Sequence, residues 1–182
     1  MTRPRATVQK LPIEGSQDSP VRVESFEDLQ CPDTAAYRRM LDQTLLPRFG
    51  REVGFASFDF PLDNHAWALP AAMAARRFAI TNAAAGINFR RFCLFNIREI
   101  SVENLADRIA EFARSHGLDE EDAVLALRSD DLRAAVLRDH RAGEKRGVSK
   151  TPSVFVGKKL FVETFAPEEL AEAIEAALRS KR

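Results

Sequence analysis

The amino-acid sequence predicts an α/β domain with an all-helical insertion. Near the N-terminus, two strand-like stretches flank a helix-like one, with the length typical of a βαβ unit that has parallel strands. Near the C-terminus, two further strand-like stretches are joined by a short turn and followed by an amphipathic helix. The sequence between these parts is helix-like, and ten of residues 66–85 are alanine, which favours helix over strand.

The N-terminal βαβ unit is predicted from alternation, β-branched residues and one helical stripe. Residues 6–11 indicate a short edge strand, turn-forming residues occupy 15–20, and residues 20–26 alternate as a longer strand. A helix is predicted over residues 32–49, because leucine and tyrosine side chains recur on one face. Residues 53–60 form the second predicted strand of the unit.

The rest of the chain is predicted as six helices and one hairpin. The insertion helices are predicted from about Pro70, after a turn at 64–69, and over 88–97, 101–116, 119–128 and 130–146, with Ser101 and either Ser129 or Asp130 as caps and Gly117 as a stop. The hairpin strands are 153–156 and 160–162, joined by a turn at 157–159. Pro167 opens the C-terminal helix.

The composition excludes several classes of protein. The chain has 182 residues, 45% of them hydrophobic, so it can bury a core without disulfides or metals. Lys+Arg and Asp+Glu both number 27, which leaves no basic excess for an extended nucleic-acid footprint. No apolar run reaches the ~18 residues of a membrane span. Two cysteines without zinc-type spacing predict neither a disulfide framework nor a metal site.

The N-terminal residues do not read as a secretory signal. Arg3 and Arg5 are not followed by the apolar stretch that a signal peptide requires. The chain as given is therefore expected to be cytoplasmic, or extracytoplasmic if a signal was removed from it. The oligomeric state is left open by the sequence.

The candidate reactive group is Cys31, which follows the first long strand and opens a helix. A cysteine at this position faces unpaired N–H groups and the positive end of the helix dipole, and both stabilise a thiolate. Pro32 suits the first helical position, and Thr34 is placed to donate its hydroxyl to the sulfur one turn away. The negative charge of Asp33 opposes the thiolate. On position alone, Cys31 is equally well a small apolar residue near a helix cap.

A resemblance to a known family raises the weight of the reactive alternative. The pattern Phe26-x-Asp28-x-x-Cys31-Pro32 resembles the start of the DsbA-like thiol:disulfide oxidoreductases of the thioredoxin superfamily. Three further stretches resemble the same family: Pro61-Leu62-x-x-His65 before the alanine-rich helix, Gly147-Val148-x-x-Thr151-Pro152-Ser153-Val154-Phe155-Val156, and Gly157-Lys158-Lys159. The match covers roughly residues 6–180 and includes the order of the elements.

The resemblance implies a thioredoxin-like fold (βαβ, then ββα) with an inserted helical domain. Residues 1–62 and 147–182 would form the thioredoxin-like domain, and residues 63–146 the insertion. The resemblance also implies a cis peptide bond between Thr151 and Pro152, which would leave the backbone of Thr151 free to pair with an extended substrate beside the sulfur. The implied partner is a protein or peptide that carries a thiol or a disulfide.

The sequence departs from the family at two positions. Active members carry Cys-x-x-Cys, whereas the fourth position here is Thr34, which cannot resolve a mixed disulfide. Many members also have a buried carboxylate six residues before the first cysteine, where this chain has Ser25. Glu24 is one residue away and is expected on the opposite side of the strand. We interpret Ser25 and Thr34 together as a natural monothiol site, since removal of a second cysteine alone would not account for Ser25.

Several other residues could take part in the chemistry, and three cases have two interpretations each. Cys93 is either a resolving thiol for Cys31 or, more in keeping with its phenylalanine and leucine neighbours, an inert core cysteine. His65 is either a catalytic base or a polar residue at a helix start. Arg90 and Arg91 either bind an anion such as a glutathione carboxylate or form the polar face of a helix. The other two histidines are expected at a helix end (His116) and on a solvated charged face (His140).

Three classes of function remain open on the sequence. We predict a monothiol oxidoreductase or isomerase in which Cys31 forms a mixed disulfide that an external thiol such as glutathione releases, with no bound cofactor. The first alternative is a redox-inactive thioredoxin-fold module that binds a peptide or protein. The second is a glutathione-transferase or isomerase-like enzyme. A peroxidatic Cys31 would need a positively charged partner, which the sequence does not indicate.

Overall fold

The computed structural model describes residues 11–181 and confirms the predicted fold class. Its strands are β1 (Ile13–Gly15), β2 (Arg22–Glu27), β3 (Gly54–Asp59), β4 (Ser153–Val156) and β5 (Lys159–Val162). They form one sheet in the order β1-β3-β2-β4-β5, with β2 in the centre. Strands β2 and β3 are parallel, and the other neighbouring pairs are antiparallel. The sheet therefore combines a parallel βαβ unit with a β-hairpin.

The helices lie in the predicted order around this sheet. They are α1 (Pro32–Met40), which continues through a π-helical segment (Leu41–Leu45) into α2 (Leu46–Phe49), then α3 (Ala68–Thr81), α4 (Ala83–Phe95), α5 (Leu105–Ser115), α6 (Glu120–Leu125), α7 (Asp130–Lys145) and α8 (Pro167–Arg179). Short 3₁₀ helices occur at Ile97–Glu99 and Ala126–Arg128. Helices α3 to α7 all lie between β3 and β4, so the inserted helices are confirmed, while the domain limits at 62/63 and 146/147 stay a prediction.

The predicted edge strand and hairpin turn change in the structure, while β2 and β3 begin and end within two residues of their predicted limits. Residues 6–10 of the predicted edge strand lie outside the described residues, and Leu11 is not in a strand. The edge strand is instead Ile13–Gly15, which pairs with β3. In the hairpin, Lys159 is the first residue of β5 rather than part of the turn, so the turn is the pair Gly157 and Lys158. Gly157 has a φ of +60°, which a two-residue hairpin turn requires.

Two predicted helix starts change because other residues cap the helices. The side chain of Asn82 accepts a hydrogen bond from Ala84 N at 2.9 Å, so α4 begins at Ala83 rather than near Asn88. Ser101 accepts a weak hydrogen bond from Asn104 N at 3.4 Å, but the chain forms a turn there and α5 begins at Leu105. Helices α6 and α7 begin within one residue of the predicted positions, and α3 begins at Ala68, two residues before Pro70 and inside the predicted turn.

The core of the insertion extends to the loop around Cys31. Three phenylalanines from α3, α4 and α5 (Phe78, Phe89 and Phe112) pack against one another with ring centroids about 5 Å apart. The same buried cluster includes Leu29 and Ala35, which lie on either side of Cys31 in the sequence. The insertion is therefore packed directly against the start of α1. Within residues 11–181, no helix is long and apolar enough to cross a membrane.

A buried cluster of charged groups joins the insertion to the sheet. Glu27 ends β2, Asp59 ends β3, and their carboxylates meet Arg76 from α3 and Arg90 from α4. Arg76 Nε lies 2.7 Å from Asp59 Oδ2, and Arg90 Nη2 lies 3.0 Å from Glu27 Oε2. Asp139 from α7 also belongs to the cluster. It forms an ion pair with Arg76, and its Oδ2 accepts a hydrogen bond from Asp59 N at 3.2 Å. These five residues form the charged cluster.

The charged cluster contradicts the prediction for Arg90. We expected Arg90 either on a polar helix face or at an anion site, but its side chain is only 6% exposed and its partners are Glu27 and Asp59. Arg91 is 28% exposed and is paired as well, with Glu14 at 2.8 Å and with Asp42. Neither guanidinium is therefore available as the predicted site for a glutathione carboxylate.

Two histidines of the insertion pack against aromatic rings. His140 was expected on a solvated charged face, but it is half-buried and stacks on Phe60 with ring centroids 4.1 Å apart. His116 is the C-terminal cap of α5, stacks on Phe112 at 3.9 Å, and has Nδ1 2.9 Å from the Phe112 carbonyl oxygen. Both rings lie on the insertion helices and not on the loop that carries Cys31.

Asp139 gives the charged cluster a measurable pH dependence. Burial raises the pKa of Asp139 to about 6, and the neighbouring Asp59 carboxylate adds to the increase. The native state thus holds this proton more tightly than the unfolded chain, so the stabilising contribution is present at low pH and is lost as pH rises through about 6. Between pH 4 and 7, we expect the free energy of unfolding of the wild type to fall by about 2–3 kcal/mol relative to that of Asp139→Asn. Urea denaturation across this range measures it, and parallel curves for variant and wild type would contradict it.

Candidate active site

Cys31 is the N-cap residue of α1. Its backbone is extended (φ −86°, ψ 123°), Pro32 occupies the first helical position, and Ala35 N donates to the Cys31 carbonyl oxygen at 3.1 Å. The side chain of Cys31 accepts no capping hydrogen bond from the helix. Instead, Sγ lies 3.2 Å from the carbonyl oxygen of Thr151, to which the thiol donates. The residue is 5% exposed.

The segment opposite Cys31 is fixed by the start of β4. The peptide bond between Thr151 and Pro152 is cis, which is the form that the family resemblance implies. Ser153 pairs with Phe26 across the sheet, and the Pro152 carbonyl oxygen accepts Glu163 N at 2.8 Å. We expected the Thr151 backbone to be free for a substrate strand, but its carbonyl oxygen is occupied by the Cys31 thiol.

Thr34 does not contact the sulfur as expected. Its Oγ1 is fully buried and makes no hydrogen bond within the described part of the chain. The hydrogen bond that the Cys31 side chain makes is instead with the Thr151 carbonyl oxygen, to which the thiol donates. The hydroxyl of Thr151 is likewise buried and unpaired among residues 11–181. Asp33 is exposed at the start of α1.

His65 lies against the loop that carries Cys31. Its Nδ1 is 2.9 Å from Asp28 Oδ2, and the Asp28 carboxylate also accepts Leu62 N at 2.7 Å and Gln30 N at 2.6 Å. The Asp28 carbonyl oxygen in turn accepts Cys31 N at 3.2 Å. Burial raises the pKa of Asp28, and the hydrogen bonds from Leu62, Gln30 and His65 oppose part of that increase. Asp28 thus connects the histidine to the cysteine loop.

Glu27 is a buried carboxylate on β2 that was not among the residues predicted for the site. Glu27 accepts hydrogen bonds from Ser25 Oγ at 2.6 Å and from Ser57 Oγ at 2.9 Å, and it is paired with Arg90. Ser25 therefore does occupy the position six residues before Cys31, and a buried carboxylate lies two residues further along β2. Strand alternation could have identified Glu27, because Ser25 and Glu27 share one face of β2. Its arginine partner keeps the buried charge compensated.

Cys93 lies in the core of the insertion. It is fully buried on α4, and burial raises the pKa of its thiol while Arg90 opposes the increase. Both Cys31 and Cys93 are free thiols in the structure. These surroundings favour the interpretation of Cys93 as an inert core residue. Across residues 11–181, no group of three or more His, Cys, Asp and Glu side chains could hold a metal ion.

The comparison with protein families agrees with the fold. A family model described as Thioredoxin matches residues 7–176. The chain therefore belongs to the thioredoxin family. A comparison with curated proteins found no match.

Three solved structures show which form of the thioredoxin fold this is. The thiol-disulfide exchange protein alpha-DsbA2 from Wolbachia pipientis has a TM-score of 0.77 at 23% identity, with 91% of this chain and 86% of that chain covered. Oxidised BdbD from Bacillus subtilis has a TM-score of 0.77 at 20% identity, covering 93% of each chain. A thioredoxin-like oxidoreductase from Silicibacter pomeroyi DSS-3 has a TM-score of 0.76 at 21% identity, covering 92% of each chain. The fold is thus the DsbA-like one.

Proposed function

We propose that this protein carries out thiol–disulfide exchange through Cys31 alone, with an external small thiol completing each cycle. The observation that carries the proposal is the position of Cys31 at the N-cap of α1, with Sγ 3.2 Å from the Thr151 carbonyl oxygen and a threonine where a second active-site cysteine would stand. A helix N-terminus favours the thiolate that such chemistry needs. Because the second thiol is missing from the motif, the resolving thiol has to come from outside.

Ionisation of Cys31 has a direct consequence for the geometry of the site. A thiol can donate to the Thr151 carbonyl oxygen, whereas a thiolate cannot, so loss of the proton removes this contact. The thiolate is then a hydrogen-bond acceptor, and the two segments that carry Cys31 and its Thr151 partner each hold a buried hydroxyl, Thr34 Oγ1 and Thr151 Oγ1, without a partner within residues 11–181. These hydroxyls are suited to stabilise the negative sulfur once it leaves the carbonyl. The Thr151 carbonyl oxygen becomes available to a substrate backbone at the same moment.

The cycle consists of two exchanges. In the first, the Cys31 thiolate attacks the disulfide of a glutathionylated protein or peptide, its sulfur bonds to the glutathione sulfur, and the substrate leaves as a thiolate that takes up a proton. In the second, an external thiol attacks the mixed disulfide, Cys31 leaves as a thiolate, and a small-molecule disulfide is released. No net oxidant is consumed besides the substrate disulfide, and each bond broken is replaced by one formed.

The experiment that tests the proposal is labelling with oxidised glutathione, followed by intact mass spectrometry. We expect one glutathione adduct per chain, released by reduced glutathione, in the wild type and in the matched control Cys93→Ser. We expect none in Cys31→Ser. Turnover is then measured as the reduction of a glutathionylated peptide by glutathione. If the folded wild type forms no adduct, while peptide binding survives in Cys31→Ser, the protein is a binding module and the proposal is wrong.

A further inference from the structure

A histidine–carboxylate pair is held beside the reactive loop without any assigned role. The segment from Leu62 to Trp67 runs along the loop from Asp28 to Cys31 and is fixed to it at three points. Leu62 N and His65 Nδ1 bind the Asp28 carboxylate, and Trp67 N donates to Gln30 Oε1 at 2.9 Å. Gln30 immediately precedes Cys31 in the sequence. The placement of His65 relative to this loop is therefore fixed by the fold.

The contact with Asp28 also determines which ring nitrogen of His65 can accept a proton. A carboxylate oxygen accepts, so Nδ1 of the neutral ring donates to Asp28 and Nε2 keeps an unprotonated lone pair. The Asp28 side chain is completely buried, while that of His65 is 19% exposed. Within residues 11–181, Nε2 makes no hydrogen bond. An imidazole oriented by a buried carboxylate, with its other nitrogen open to solvent, is the arrangement that proton transfer requires.

We propose that His65 carries the proton between the external thiol and Cys31, and that Asp28 is its positioning residue. The inference rests on the proposed function. It concerns the release of the mixed disulfide by the external thiol, the step that a second cysteine of the motif would otherwise carry out. His65 Nε2 takes the proton of the incoming thiol, whose sulfur attacks the mixed disulfide. The bond between the two sulfurs of the adduct breaks, and Cys31 leaves with the electron pair. His65 then returns the proton to the Cys31 sulfur, so atoms and charges balance.

The size of the effect follows from the acidity of the attacking thiol. A free thiol has a pKa of ~8.5, so only about 3% of it is thiolate at pH 7. A base that removes the proton during attack can therefore accelerate the reaction by up to about 30-fold. A thiol that is already ionised at pH 7 gains nothing from the base. The ratio of wild-type to variant rates should thus depend on the thiol, which a merely structural role of His65 would not produce.

The test measures release of glutathione from the isolated Cys31 adduct by a series of external thiols of increasing acidity. For His65→Gln we expect a decrease of about 10- to 30-fold with glutathione at pH 7, which disappears with an aromatic thiol that is fully ionised at that pH. The matched control is His116→Gln, a histidine on the insertion that stays equal to the wild type with every thiol. A decrease of the same size with every thiol, or no decrease, would overturn the inference.

Two further measurements keep the result interpretable. If His65→Gln unfolds at the assay temperature, His65→Ala is assayed with added imidazole, which restores glutathione-dependent release only if the lost group was a proton carrier. The ratio of wild-type to His65→Gln rates with glutathione should also decrease as pH rises from 7 toward the ~8.5 pKa of the thiol, because the thiol then ionises without a base. Asp28 contacts the ring, and the exposed Asp63 lies on the same segment as His65. Failure of the wild type to form the adduct at all contradicts the proposed function, whereas adduct formation with a thiol-independent ratio contradicts only the role of His65.

Discussion

Thr34→Cys is expected to make the release step internal and independent of an external thiol. The N-cap and third helical positions are adjacent on one turn, and such side chains have β-carbons about 5–6 Å apart, close enough for a disulfide after a small adjustment. Thr34 is fully buried, and its hydroxyl makes no hydrogen bond within residues 11–181, so a thiol of similar size replaces it without breaking a contact. The effective concentration of a tethered thiol is of millimolar order or higher.

A single-turnover experiment with a glutathionylated peptide measures this effect. Without external thiol, the wild type should stop at the Cys31–glutathione adduct. Thr34→Cys should instead release the glutathione and finish with an intramolecular disulfide, at least about 100-fold faster than the wild type in the presence of ~10 µM external thiol. Thr34→Ser is the matched control, because it keeps a hydroxyl and adds no thiol. A persistent adduct in Thr34→Cys would show that the two positions cannot bond in this fold.

The second large effect is expected on stability, from the two consecutive arginines of α4. Arg90→Met leaves Glu27 and Asp59 as buried carboxylates with one cationic partner fewer, and loss of one partner from a buried ionic group costs about 3–5 kcal/mol. Arg91→Met removes a partly exposed guanidinium from Glu14 and Asp42, for which we expect about 1 kcal/mol or less. The denaturant midpoints of the two variants measure how much stability each substitution costs at neighbouring positions of one helix. Equal losses would contradict the charged cluster as the joint between insertion and sheet.

The pH dependence of the Arg90→Met deficit has a definite sign. Burial alone would raise the pKa of Asp59, but Arg76 and Arg90 outweigh it and lower that pKa. A carboxyl with a lowered pKa stabilises the native state above its unfolded pKa, and this contribution is lost as pH falls. Removal of Arg90 weakens that contribution, so the deficit of Arg90→Met should be largest near pH 7 and smaller toward pH 4. Urea denaturation at both pH values measures the change.

The sequence predicts the fold because its signals are local. Alternation in β2, the cap at Asp119 and Pro167 at a helix start each act within a few residues, and the structure has elements at each of them. The boundaries that changed, such as the start of α4 at Ala83, depend on which of several capping residues is used. That choice depends on small differences in free energy between neighbouring positions, which a single sequence does not reveal.

The contacts of the site are less predictable because they join distant parts of the chain. Cys31 is recognisable from its place after a strand and before a proline, but nothing near it in the sequence indicates that its thiol donates to Thr151. The sequence alone predicts a surface position for Arg90. Its burial follows from the carboxylates at the ends of β2 and β3, with which it forms ion pairs. Strand alternation is enough to predict that Glu27 shares a face with Ser25, but it does not predict the ion pair between Glu27 and Arg90. Pairings of this kind depend on the tertiary structure.

The hydrogen bond from Cys31 to Thr151 spans 120 positions of the chain. During synthesis from the N-terminus, the thiol is therefore made long before the carbonyl that receives it. Until the hairpin of β4 and β5 has joined the sheet, a growing chain exposes a cysteine at a helix start without the segment that covers it. The hydrogen bond of this sulfur to Thr151 thus depends on the hairpin joining the sheet, so access to the thiol reports on that step of folding.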